Sequence, residues 1–108
     1  MTAGTGAPSL TSEQRADALR KATEVRSARR AFKDAVARGD YGLGPALALA
    51  RANEALAGIR VVDLLVCLPG VGPKRAEALM SEARIAPSRR VRGLGERQVA
   101  SLAGMVTR

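Results

Sequence analysis

Histidine and tryptophan are absent from this 108-residue chain, cysteine occurs once, as Cys67, and the aromatics are Phe32 and Tyr41. Without imidazole, a Ser/His/Asp or Cys/His nucleophile has no ordinary base, and a zinc site loses both histidine ligands and paired thiolates. One cysteine makes no intramolecular disulfide, which excludes a secreted, disulfide-stapled scaffold and fits a reducing cytoplasm. Cys67 lies inside the apolar run Val61 to Leu68, so it reads as a buried structural thiol. No apolar stretch approaches the ~20 residues of a membrane span. Met1 to Leu10 lacks the basic start and apolar block of a signal peptide, so a cytoplasmic protein with no membrane association is expected. Carboxylates are also scarce, and Glu77 and Glu82, five residues apart, do not share a helix face. No general acid, nucleophile, metal or cofactor site is legible, and an enzyme is not expected.

What the chain does have is positive charge. Eighteen Lys and Arg stand against ten Asp and Glu, a formal net charge of +8. The surplus lies in residues 1–40 and 73–108, around a neutral and mostly apolar middle that should supply much of the core. Such a field favours a polyanionic partner, although a solubilising surface would carry the same charge. At this length the chain makes one domain with one core and no large cleft between domains.

Residues 1–10 read as a disordered arm and residues 11–108 as a single helical domain. Thr11-Ser12-Glu13-Gln14 has the form of a capping box, and no Gly or Pro follows until Gly39, so a helix of about 25 residues is expected from Ser12 to Arg38. On it Val25, Ala28, Phe32 and Val36 form an apolar seam, and Arg26, Arg29, Arg30 and Lys33 an adjacent cationic stripe. The stripe fits either an anion-binding face or a solvated one, and the first turns are too far along the helix to be covered by a small body. Pro45 suits a first helical position, giving a second helix over Ala46 to Ala55, stopped by Gly58. Val61 to Leu68 forms a third, ended by Pro69; its Val61-Val62 start would suit a strand, but no second alternating segment is there to pair with it.

Leu68-Pro69-Gly70-Val71-Gly72-Pro73-Lys74-Arg75-Ala76 is the most informative segment. Pro69 stops one helix, Gly70 and Gly72 allow backbone angles and close approaches, Val71 can pin the turn inward, and Pro73 opens a helix running to about Arg84. The amides at that helix start suit an anion, whereas Lys74 and Arg75 oppose the helix dipole at a cost that a bound phosphate would recover. The spacing and the missing hydroxyl exclude a Walker A loop. Beyond it, Ser88 can cap a short turn carrying Arg89, Arg90 and Arg92, ended by Gly93, before a last helix from about Gly95 to Met105 with Leu102 and Met105 inward. Three guanidinium groups in four residues repel one another unless an anion lies between them.

The hairpin resembles the helix-hairpin-helix motif of non-specific DNA-binding proteins. With Ile85 to Gln98 and the start Leu10 to Ala16, it resembles the actinobacterial integration host factor family, over roughly Leu10 to Leu102, tightest from Leu65 and weak from Gly39 to Ala57. That resemblance implies an all-α fold, a long N-terminal helix on a small four-helix module containing a helix-two-turns-helix motif. It implies a nucleoid-associated protein that binds duplex DNA with little sequence preference and influences compaction, topology and site-specific recombination. On the matching positions Gly70, Gly72 and Arg75 would then hold one phosphate, and Arg89, Arg90 and Arg92 would make the second contact; Val71 and Lys74 in the hairpin, and Ser88 and Gly93 around the arginine turn, are further candidate DNA-binding residues. Topoisomerase or phage integrase complexes would be reached through the DNA. The pattern departs at Pro73, where members of that family often carry lysine. A monomer is expected, since no coiled-coil seam is present. The alternative is a double-stranded RNA or ribosome-associated module, with Phe32 and Tyr41 offering no stacking platform for unpaired bases.

Overall fold

Thr11 starts the first helix through both arms of a capping box: its hydroxyl accepts from the Gln14 amide at 3.0 Å, and the Gln14 side chain accepts from the Thr11 amide at 2.9 Å. In the computed structural model, which describes residues 10–106, this helix, α1, spans Ser12–Ala37 and stops where Gly39 takes φ +83°. The expected arm over residues 1–10 lies, Leu10 apart, outside the described residues. Phe32 and Val36 are buried, Val25 and Ala28 half-buried, and from Ser12 to Glu24 only Ala22 is better than exposed. The apolar seam therefore anchors the second half of α1 while its first half stands clear, and the molecule measures 60 × 27 × 23 Å.

Helix α2 covers Leu43–Ala52, three residues ahead of the expected start at Ala46. Leu43, Ala46, Leu47 and Ala50 form its buried face, so packing draws the first turn back to Leu43. Pro45 is tolerated as the third residue because first-turn amides have no partner inside the helix. The helix also ends earlier than expected. Asn53 turns extended (φ −117°, ψ 119°) and its side-chain oxygen accepts from the amides of Ala55 and Leu56 at 2.9 and 3.2 Å, starting the one-turn α3, Glu54–Ala57. Among the described residues, the module on which α1 packs thus holds five α-helices rather than four, because the expected second helix is divided in two.

Helix α4, Val61–Leu65, is shorter than the expected span to Leu68, because after Val66 the amides of Cys67 and Leu68 tighten into i→i−3 bonds to the Leu64 and Leu65 carbonyls before Pro69. Helix α5, Pro73–Glu82, ends before Arg84, which adopts φ +59°. A 3-10 turn at Val91–Gly93 precedes α6, Glu96–Val106. Among the described residues there is no strand, only one isolated antiparallel bridge between Arg60 and Arg90.

Leu47 of α2, Val61, Leu64 and Leu65 of α4, Val91 of the 3-10 turn and Leu102 of α6 meet in one core with no accessible surface. Each contributes about 1.5–3 kcal/mol by leaving water. Met105, expected inward, is half-buried against that core. Phe32 and Tyr41 pack with ring centroids 6.0 Å apart, so both aromatics serve the interior. No polar or charged side chain is buried among the described residues, and every charged or polar side chain of the candidate site therefore keeps some access to solvent.

Candidate nucleic-acid interface

The α4–α5 hairpin is built from its own backbone. The Val71 amide donates to the Leu68 carbonyl at 3.1 Å and its side chain, 7% exposed, enters the core. Gly70 takes φ +78°, a conformation that L side chains rarely adopt. Gly72 is different: as N-cap of α5 it has ordinary extended angles (φ −92°, ψ −179°), and a Cβ there would meet nothing within 4 Å. Nothing inside the fold requires glycine at 72. The first turn of α5 begins with Pro73 and no side chain caps it, so its remaining amides face solvent beside the exposed Lys74 and Arg75.

The arginine segment is pinned at both ends. The Val61 amide donates to the Arg89 carbonyl (3.0 Å) and the Val91 amide to the Ile59 carbonyl (2.9 Å). Ser88 lies exposed in the preceding turn and does not cap the 3-10 turn; Arg90 stands at that position, because the backbone pairing with residues 59–61 holds it extended. The Arg89 guanidinium folds back to donate to the Gly93 carbonyl at 2.7 Å, and a Cβ at Gly93 would fall 2.7 Å from Arg89 Cδ. Arg90 donates to the Gly58 carbonyl at 2.5 Å. Backbone carbonyls thus take two of the three guanidinium groups, while Arg92 has no carboxylate partner among the described residues. Gln98, which the sequence did not single out, closes the base of the segment: it accepts from the Gly95 amide (3.1 Å) and donates to the Arg84 carbonyl (3.2 Å).

On α1 the expected stripe is assembled. Arg26, Arg29, Arg30 and Lys33 line an open groove of about 470 Å³ with Asp34, Ala37 and Cys67. Arg29 and Lys33 are half-buried, Arg26 and Arg30 exposed, and Arg29 donates from Nε to the Ala55 carbonyl at 2.8 Å. The ion pairs among the described residues, Arg20 with Asp17 and Arg38 with Asp40, involve none of the four. Cys67 is only half-buried, not enclosed, because α4 ends before it and the chain turns toward the groove. Burial pushes its thiol above the ordinary value, Lys33 pulls it down, and Asp63 and Asp34 push it up. Among the described residues no three His, Cys, Asp or Glu side chains are grouped as a metal would need.

Residues 36–105 match the S13-like H2TH domain, so the α4–α5 hairpin and the helices around it form a helix-two-turns-helix domain. The chain is 48% identical over 91 residues to the Integration host factor of Mycolicibacterium smegmatis and equally to that of Mycobacterium tuberculosis, covering 84% of this chain and 87% of each relative. To the Integration host factor of Streptomyces coelicolor it is 42% identical over 95 residues, covering 88% and 89%. Among solved structures, that of sIHF bound to an 8-bp palindromic DNA aligns with a TM-score of 0.75 at 36% identity, over 80% of this chain and 97% of that one. The chain belongs to this integration host factor family, with the all-α fold that its sequence pointed to.

Proposed function

We propose that this chain is a nucleoid-associated architectural protein that binds duplex DNA with little sequence preference, and so affects DNA compaction, topology and site-specific recombination. The observation that carries this reading is the α4–α5 hairpin, whose uncapped amides and exposed Lys74 and Arg75 stand in the same fold as that of a relative solved with DNA on it. Gly70, Val71, Gly72, Lys74 and Arg75 hold a backbone phosphate by amides and charge. Ser88, Arg89, Arg90, Arg92 and Gly93 form a second contact region, and Arg26, Arg29, Arg30 and Lys33 extend the positive surface along α1. Contacts made to phosphates and to groove shape position a duplex without reading its sequence. The relative's DNA favours duplex DNA over the RNA alternative. The protein acts by binding rather than by catalysis, as a monomer on the nucleoid, and meets topoisomerase or integrase complexes through the DNA they share. No helix among the described residues is long and apolar enough to cross a membrane.

The test is affinity for random-sequence duplex DNA across a salt series, with double-stranded RNA of equal length as competitor. Each neutralised phosphate adds about 0.9 to the slope of log K against log salt, so a steep negative slope with DNA preferred is the expected result. Affinity indifferent to salt, or preference for RNA, would overturn the proposal.

A further inference from the structure

Gly58, between α3 and α4, is where two distant parts of the sequence bring their cations together. Arg29 of α1 is tethered by Nε to the Ala55 carbonyl, and its Nη2 crosses the face of Gly58. Arg92 of the 3-10 turn reaches the same place: a Cβ built on Gly58 would lie 2.7 Å from Arg92 Nη2 and closer still to Arg29 Nη2. Two guanidinium groups therefore share the space beside one Cα. Neither forms an ion pair with any carboxylate among the described residues. Glu24 and Glu54 line the adjoining groove of about 500 Å³ together with Arg29 and Arg92, yet stay beyond ion-pair distance of both. Like charges held this close cost free energy that an anion between them removes.

We infer that Arg29 and Arg92 form one phosphate seat over Gly58, clamping a single DNA phosphate between α1 and the arginine turn, and that Gly58 is its positioning residue. The inference rests on the duplex-DNA reading above. A phosphodiester offers two unesterified oxygens, one for each guanidinium, in short charge-assisted hydrogen bonds. Arg29 arrives pre-oriented because its Nε is already held, which lowers the entropy lost on binding. The absence of a side chain at Gly58 lets the two groups converge. Arg90, donating to the Gly58 carbonyl, holds the glycine in place from behind.

Gly58→Ala separates this role from folding. Gly58 has φ −83° and ψ −3°, which alanine adopts freely, and the added methyl meets only the ends of flexible side chains. The variant should unfold at the wild-type denaturant midpoint. Its affinity for random-sequence duplex should fall roughly three- to tenfold, and its salt slope should flatten by about 0.9, one phosphate's worth. Arg92→Ala should cost about the same, and the double variant Gly58→Ala/Arg92→Ala little more than either, because both remove one seat. Should Gly58→Ala fail to fold, Arg29→Lys paired with Arg92→Ala takes its place, since lysine cannot reach Ala55 and the seat together. Losses that add fully in either pair, or a folded Gly58→Ala with wild-type affinity and slope, overturn the seat while leaving DNA binding intact. Wild-type binding indifferent to salt overturns the DNA reading, and the seat with it.

Discussion

At Gly70 the chain takes φ +78°, whereas two residues later Gly72 takes φ −92° in open space, so the two glycines answer to different demands. A Cβ at 70 meets no atom within 4 Å, but the left-handed conformation itself costs an L residue roughly 1–2 kcal/mol. Gly70→Ala should lower the free energy of unfolding by about that amount, read from denaturant midpoints. Gly72→Ala should leave stability within about 0.5 kcal/mol of wild type, since neither angle nor space opposes it. Its methyl would stand on the approach to the first amides of α5, where a phosphate has to come close, and affinity for DNA should fall. A Gly72→Ala protein that binds DNA as well as wild type would remove the hairpin amides from the contact. The glycine pair was legible in the sequence as a turn. The division of labour between them was not, because one follows from a dihedral angle and the other from emptiness around an atom.

Among the elements, the capping box at Thr11, the glycine stop after α1 and Pro73 at the start of α5 were legible because each is a local rule with a few residues in it. The break at Asn53 was not. Residues 46–55 are so rich in alanine and leucine that they read as one helix, although Asn53 followed by Glu54 has the form of a helix start. Tertiary packing decides the matter: Leu56 is buried in the core, whereas on a straight continuation of α2 it would lie well off the face that carries Leu43, Leu47 and Ala50. Asn53→Ala removes the acceptor for two amides and should destabilise the protein by about 1 kcal/mol, measured by urea unfolding. Because α3 also carries the Ala55 carbonyl that tethers Arg29, the same variant should loosen that side chain and weaken DNA binding beyond its effect on folding. If binding is unchanged once folding is matched, α3 only fills the core. The arginine turn was legible as a dense charge cluster whose repulsion needs an anion. The carbonyls of Gly58 and Gly93 take Arg90 and Arg89 instead, contacts that depend on backbone pairing with residues 59–61 and leave no trace in spacing.

Over the whole molecule, the net charge of +8 is not spread evenly along the 60 Å length. The projecting half of α1, residues 12–24, holds Arg15, Arg20 and Lys21 against Glu13, Asp17 and Glu24 and so adds nothing to the net charge, which all resides in the remainder of the chain. A polyanion is therefore drawn to the packed body, where Arg26, Arg30 and Lys33 line a groove, and not to the outlying helix turns. Two triple variants test this with equal change in total charge. Replacing Arg15, Arg20 and Lys21 by glutamine, or Arg26, Arg30 and Lys33 by glutamine, takes the formal charge from +8 to +5 in either case. If attraction followed net charge alone, the two would weaken DNA binding alike. At physiological ionic strength fields between exposed charges fade over about 8 Å, so position should matter more than the total. The first triple should change affinity by less than about twofold, and the second should flatten the salt slope by about 0.9 for every phosphate contact it removes. Equal losses would mean that the stripe on α1 is a solvated face, leaving the hairpin and the arginine turn as the surface on which DNA is held.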